Sequence, residues 1–523
     1  MAQLMDVALS RVNALLEGTS TTALALTAFL LPLAILFLKA AYFPSIDSRE
    51  PPLQRSTIPF IGHIVGLIRE SASYFTRLQH AHRFPICTLP MLNGKMYLIC
   101  SPALISAAMK NRDLSFDPFA LEFSSALLEI PPKYVEEWSK DGWYQSITDV
   151  IHSSLTGENL KALKAVCYKE LATALNKFEK GTTHKIDNAY EWLSVEVPRA
   201  FMTALWGKNN PIGDEVVRAI WDFDQSVAIL ANDLWPRILA PKAFAARRKL
   251  QNALKPYYEK ELWRDEDVSA IMKNRALKIV KEGGGAEILS LTEWNIAWAS
   301  ITNTVPDLYW LLVNIFSRMQ CLERFRKDVG EMTVLSDDGK GGRVGVIDAG
   351  QLEKKPYVAA VYWETHRVYN ENLGHRRVMK ETVLKDADGR EYLLKKGINI
   401  QIAVGAPHRD TSIWGPDAEE WRPERWTDGT TSMQEKIQRS SLFPFGGGRN
   451  LCPGQKFAIS ESLGMLAVLA MGFDIDGVQV PEVAPPLLAN AMRKPVLESV
   501  DTSINLSRRK GYEDVTWSFK LDS

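Results

Sequence analysis

Metal-ligand spacings, a disulfide framework and a dominant charge are all missing from this 523-residue chain. Its five cysteines (Cys87, Cys100, Cys167, Cys321 and Cys452) are scattered, odd in number and contain no C-x-x-C pair. That excludes a stapled secreted fold and argues against zinc; free, mostly buried thiols in a reducing compartment are the expectation. The eight histidines show no H-E-x-x-H or related spacing, so His366 and His408 are expected to be packing or surface residues. Basic and acidic residues balance at 62 each, so no global field recruits nucleic acid or an acidic substrate. Internal repeats and low-complexity tracts are also lacking. With 46% hydrophobic and 24% charged residues, the composition is that of an ordinary globular protein.

The longest apolar run lies near the N-terminus. Thr22 to Leu38 carries no charge, and a second short run ends at Phe43. Its length is at the low end for crossing a hydrocarbon core of about 30 Å, so residues 1–43 are expected to hold an uncleaved membrane anchor. Lys39, Arg49 and Arg55 on its C-terminal side point to a cytosolic body. Pro44, Pro51, Pro52 and Pro59 mark residues 44–62 as a semi-rigid connector. The remainder, 63–523, reads as one large, mainly α domain with a smaller β portion. Asn93-Gly94 between two apolar runs predicts a β-hairpin, with Pro90 on an edge strand or bulge. Helical spacing dominates from 102 to 330, with a break at Gly283-Gly284-Gly285 and a long helix from about Ser290 to Val329. An exposed loop is expected at 336–345, a helix from Pro356 to about Tyr369, and strands at 392–394 and 398–402.

Chemistry concentrates in Phe443–Ala458, FPFGGGRNLCPGQKFA. Three glycines allow tight or left-handed turns and close approach to a flat object. Pro453 suits a first helical turn, which places Cys452 at the positive end of an apolar helix through Leu463, Leu466 and Leu469 and favours its thiolate. A phosphate loop is excluded, because no Lys-Ser/Thr pair follows the glycines. The stretch resembles the haem-binding signature of the cytochrome P-450 superfamily, F-x-x-G-x-R-x-C-x-G, at Phe445, Gly448, Cys452 and Gly454. Asn450 stands where that family usually has Arg, and Arg449 lies one residue earlier. The resemblance implies an axial Cys452 thiolate on haem iron, with Phe445, Arg449, Asn450 and Gly454 around the cofactor.

Two further elements fall in the family's order. Glu364-Thr365-His366-Arg367 resembles its E-x-x-R pair, and Pro423-Glu424-Arg425 its P-E-R element, which together form a buried Glu-Arg-Arg cluster. The segment Ala297–Pro306 lies where the family activates oxygen. Pro306 should free the carbonyl of Thr302 and kink the helix, and Thr302, Asn303 and Thr304 are the candidate residues for proton delivery. Asn303 replaces the family's usual Thr, and no acid precedes it, a pattern similar to the branch of sterol 7α-hydroxylase and prostacyclin synthase. No W-x-x-x-R is found at Trp138 or Trp143. The resemblance implies a monooxygenase on the endoplasmic reticulum membrane, of the fungal secondary-metabolism type. Its partners would be an NADPH-dependent flavoprotein reductase, docking near Lys436, Arg439, Arg449 and Lys456, and a lipophilic substrate (terpenoid, sterol-like or polyketide). A reductase-independent isomerase or dehydratase of an oxygenated lipid, and a non-catalytic haem-binding protein, stay open as alternatives.

Overall fold

Alternating apolar residues build a small five-stranded sheet near the N-terminus of the body. The computed structural model describes residues 26–34, 46–56, 61–91, 94–140, 142–428, 432–487 and 489–521. Strands β1 (Ile86–Met91) and β2 (Gly94–Ile99) pair as the expected antiparallel hairpin. They are joined by β3 (Leu114–Ser115), β4 (Leu373–Val378) and β5 (Asn399–Ala403) in the order β1-β2-β5-β4-β3. Pro90 is accommodated because β1 is the edge strand, where a missing N–H breaks no ladder. The connector docks along that edge: Thr88 N–H donates to the Pro52 carbonyl at 2.8 Å, and its hydroxyl to Pro51 at 2.7 Å.

Helices form the larger layer. Those that position the site are α1 (Pro102–Lys110), α2 (Trp143–Ser154), α3 (Gly157–Asn176), α4 (Ala189–Trp206), α5 (Asp214–Asp224), α6 (Pro241–Glu259), α7 (Trp294–Phe316), α8 (Pro356–Tyr369) and α9 (Gln455–Gly472). From Phe457 onward, α9 is almost wholly buried, and its sequence is apolar all round, as a core helix requires. It packs with α3, α7 and α8 into one apolar core that runs from Leu127 to Trp517.

Three expectations change. The single helix over Ser290–Val329 is three helices, Ala286–Thr292, α7 and Met319–Gly330. The first break falls at Glu293, whose carboxylate is turned into the core to take both nitrogens of Arg275 at 2.8 and 2.9 Å. The second falls at Ser317-Arg318, where the Arg318 guanidinium folds back onto the Asn314 carbonyl at 3.0 Å. The 336–345 loop is shorter than expected, because its ends belong to a hairpin of Thr333–Asp337 with Arg343–Asp348. Pro453 lies outside α9, which starts at Gln455 with Gly454 as its cap.

Among the described residues, no helix is long and apolar enough to cross a membrane. The expected anchor is described only at residues 26–34, which are helical, with Leu26, Phe29, Leu30, Leu31 and Leu33 exposed. The rest of it lies outside the described residues.

Candidate active site

Glu364 and Arg367, three apart on α8, meet as one turn of helix dictates. Both are completely buried. The carboxylate receives Arg367 through Nε at 2.9 Å and Nη2 at 2.8 Å, and Arg425 through Nε at 2.8 Å. The Arg422 backbone N–H and the Trp426 indole complete its shell, each at 2.9 Å. Burial alone would raise the carboxyl pKa, but the two guanidiniums outweigh it and hold it below its ordinary value. The expected Glu-Arg-Arg cluster is therefore formed, and its outward hydrogen bonds serve the cysteine loop. Arg367 donates to the carbonyls of His408 (3.0 Å) and Glu420 (2.8 Å), and Arg425 to those of Trp414 and Asp417, both at 3.0 Å.

His408 then carries the order forward. Its Nε2 accepts the Phe443 N–H at 2.9 Å, and Nδ1 lies 3.3 Å from the Asn370 carbonyl. Burial pushes its pKa down to about 3, so the neutral ring can accept a hydrogen bond at the mouth of the loop. Asn370 Nδ2 holds the Pro444 carbonyl at 3.2 Å. His408 is thus a positioning residue, a role its isolated place in the sequence did not signal.

Within the loop, the Cys452 N–H donates to the Phe445 carbonyl at 3.0 Å. Gly446 (φ 71°) and Gly448 (φ 63°) take the left-handed conformation. A Cβ on Gly448 would fall 2.0 Å from the Met109 carbonyl oxygen of α1. The close approach that this glycine permits is therefore to α1. Phe445 is half-buried, with its ring 5.1 Å from that of His366. Arg449 is exposed and Asn450 half-exposed.

Cys452 is accessible to water although burial, the larger effect, raises its thiol pKa; the N–H groups of Gly454 and Gln455 pull it back. The thiol is thus packed among protein atoms yet reachable by water. Helix α7 shows the same signature. It is buried over most of its length, yet Ala299 is exposed and Ile296, Ser300 and Asn303 are half-exposed, all on one face.

The three candidate residues of α7 point different ways. Thr302 is buried and bonds back to the Trp298 carbonyl at 2.8 Å. Thr304 is buried and donates to Glu461 of α9 at 3.2 Å. Asn303 alone lies on the accessible face. Its Nδ2 donates to the Ala299 carbonyl at 3.2 Å, and its Oδ1 accepts the N–H groups of Ala491 (2.8 Å) and Met492 (3.4 Å).

One cation went unnoticed in the sequence. Arg376 of β4 is 4% exposed and has no carboxylate within ion-pair distance among the described residues. Among the described residues its guanidinium makes one hydrogen bond, to the adjacent His375 carbonyl at 2.7 Å, and burial lowers its pKa against the weaker pull of Tyr144 and Asp117. A buried guanidinium without a counter-ion needs an anion, and a haem propionate fits. Its neighbour Arg377 is spent on Glu122 at 2.7 Å, so only the alternation of the strand distinguishes the two. The enclosed thiol, the accessible α7 face and this uncompensated cation fit a haem held by Cys452 and Arg376. Arg376→Leu is expected to speed haem loss to apomyoglobin by about ten- to a hundredfold, the equivalent of about 1.5–3 kcal/mol for a charged hydrogen bond.

Known proteins resemble this chain over most of its length. The Cytochrome P450 family model matches residues 51–495. A cytochrome P450 monooxygenase of Gibberella zeae is 32% identical, over 93% of this chain and 94% of its own. Cytochrome P450 monooxygenase nodJ of Hypoxylon pulicicidum is 26% identical, over 94% and 96%. Cytochrome P450 7B1 of Mus musculus is 22% identical, over 82% and 85%.

Proposed function

Because this chain belongs to the cytochrome P450 family, and is therefore a haem-dependent monooxygenase, we propose that it oxidises a lipophilic small molecule of terpenoid, sterol-like or polyketide type. The observation that carries the site is the accessible Cys452 in a loop whose first residue, Phe443, ends a hydrogen-bonded chain from Glu364 through Arg367 and His408. In this reading the accessible Cys452 and the accessible face of α7 line one cavity. Phe445 and Gly454 back the thiolate, Arg376 takes a propionate, and Arg449 and Asn450 stand at the outer edge.

A haem held there by Cys452 would supply reductive activation of O₂, with the thiolate's electron density favouring O–O cleavage. The protein's own part is to hold water and protons beside it. Asn303 uses one Nδ2 hydrogen on Ala299 and offers the other to the cavity, where it orients water. Thr302 and Thr304 hold the helix in register from behind, through Trp298 and Glu461.

Electrons would come from an NADPH-dependent flavoprotein reductase. Lys436, Arg439, Arg449 and Lys456 are all exposed and form its docking patch, where charge complementarity speeds encounter. Attachment to the endoplasmic reticulum membrane would use the apolar stretch from Thr22 to Phe43. Leu234 (52%), Trp235 (75%), Ile238 (77%) and Leu239 (55%) form a second exposed apolar cluster, and contiguous exposed apolar residues mark interaction or membrane surfaces. It supports a lipid-facing edge and an apolar substrate.

A second reading rests on the missing acid beside Asn303: an isomerase or dehydratase of an oxygenated lipid, which needs no external electrons. One assay separates the two. With candidate lipids, product formation is expected to require NADPH, reductase and O₂ together. Turnover at equal rate without reductase would overturn the monooxygenase assignment for that substrate.

A further inference from the structure

Residues 490–494 form the segment that Asn303 holds against α7, and they are fixed on a second side by the strand of chain after α8. Glu371 N–H donates to the Ala491 carbonyl and Arg493 N–H to that of Tyr369, both at 2.9 Å. Ala489, just before them, sits at φ 71°, a left-handed conformation that a non-glycine residue keeps only where its surroundings impose it.

The third side is ionic. Asp224, the last residue of α5, is 1% exposed. Its carboxylate receives the Lys494 ammonium, Asn490 Nδ2 at 2.9 Å and the Trp298 indole N–H of α7 at 2.7 Å. The Lys494 ammonium also lies 5.2 Å from the Trp221 ring centroid, one turn back on α5. A single buried carboxylate therefore joins three elements: the end of α5, the middle of α7 and the 490–494 segment.

Position gives this junction a consequence. Asn303 holds Ala491 and Met492 on the accessible face of α7, whereas Trp298 is buried on the other side of the helix, so the joined segment borders that face and is anchored behind it. Beyond Asp224 the chain passes through a short helix, Val227–Ala231, before it reaches the exposed apolar turn at 234–239.

We propose that Asp224 is a positioning residue: with Lys494 it ties residues 490–494 down as the ceiling of the cavity above Cys452, and so selects which ligands enter by size. The inference rests on the haem reading given above. A buried charge pair suits the task, because removing one partner is costly, which leaves the open state scarcely populated. A ligand that needs the ceiling raised binds at a rate reduced by that small population. A ligand small enough to pass beneath it does not.

The test uses the full-length holoenzyme, with imidazole and 4-phenylimidazole as probes and stopped-flow Soret shifts as the readout. Lys494→Met and Asp224→Asn are expected to raise the association rate constant of 4-phenylimidazole at least tenfold. That of imidazole should change less than twofold, with the reduced carbon-monoxide band as in the wild type. Equal acceleration of both ligands, or no acceleration of either, would overturn the ceiling role. If Asp224→Asn does not accumulate, Lys494→Met decides, since Lys494 lies at the edge (13% exposed). A wild type whose Soret band does not respond to imidazole would instead remove the haem reading, and the ceiling with it.

Discussion

Glu364→Ala is expected to leave little haem-loaded protein. The substitution strips the shared carboxylate from Arg367 and Arg425, which are 0% and 5% exposed. Arg425 would then keep only the Asp417 carboxylate, 3.3 Å away, and Arg367 would lose the carboxylate that pairs with it in the core. Breaking a buried pair by removing one partner costs about 3–5 kcal/mol, a large share of the ~5–15 kcal/mol by which domains are stable. The loss also travels. Arg367 orients the His408 carbonyl, and the His408 ring orients Phe443 at the start of the cysteine loop. Haem content should therefore fall further than stability alone requires. Glu364→Gln is the informative companion, because it keeps the shape and one acceptor but turns an N–H₂ group toward donors. It should fall between wild type and Glu364→Ala. Thermal melts and the Soret-to-protein ratio of purified samples check both, and an unchanged melting temperature for Glu364→Ala would show that the cluster is not structural.

Local rules made much of this legible. The Asn-Gly pair announced the β1–β2 hairpin, the Pro356 start and the approximate end of α8 near Tyr369 were readable, and the spacing of Glu364 and Arg367 predicted a contact one helical turn apart. Family order then tied that pair to Arg425, sixty residues on. What could not be read was set by tertiary partners. Arg376 and Arg377 are identical in sequence terms, yet one meets Glu122 and the other meets no carboxylate. His408 looked like any histidine until the Phe443 N–H was found beneath it. Periodicity ran a single helix through Glu293 because nothing local reports that its partner is Arg275 on another helix. The Thr302-Asn303-Thr304 run showed only that polar groups interrupt an apolar helix; which of them lies on the accessible face depends on what packs behind the other two.

Cys452→Ala is expected to do the opposite of Glu364→Ala, keeping the fold while abolishing the chemistry. The side chain is accessible to water, so its loss leaves no dry cavity of the kind that makes core truncations costly. The backbone that shapes the loop, with the Cys452 N–H on the Phe445 carbonyl and the Gln455 N–H on the Cys452 carbonyl, does not use the sulfur. What the sulfur provides is a thiolate. Burial opposes ionisation, and the N–H groups of Gly454 and Gln455 offset only part of that. In the proposed site, the cation that would tip the thiol to thiolate is the haem iron. Removing the sulfur takes away the electron donation that distinguishes thiolate ligation. The reduced carbon-monoxide Soret band should lose its red shift completely, and NADPH-dependent turnover should drop to the level of a protein-free control. The melting temperature of the apoprotein should stay close to that of wild-type apoprotein. A Cys452→Ala protein that retained the red-shifted band would sink the assignment of this cysteine. Cys452→Ser sharpens the comparison: the hydroxyl preserves size and hydrogen bonding but is a far weaker electron donor, so the band should be lost even where haem is retained.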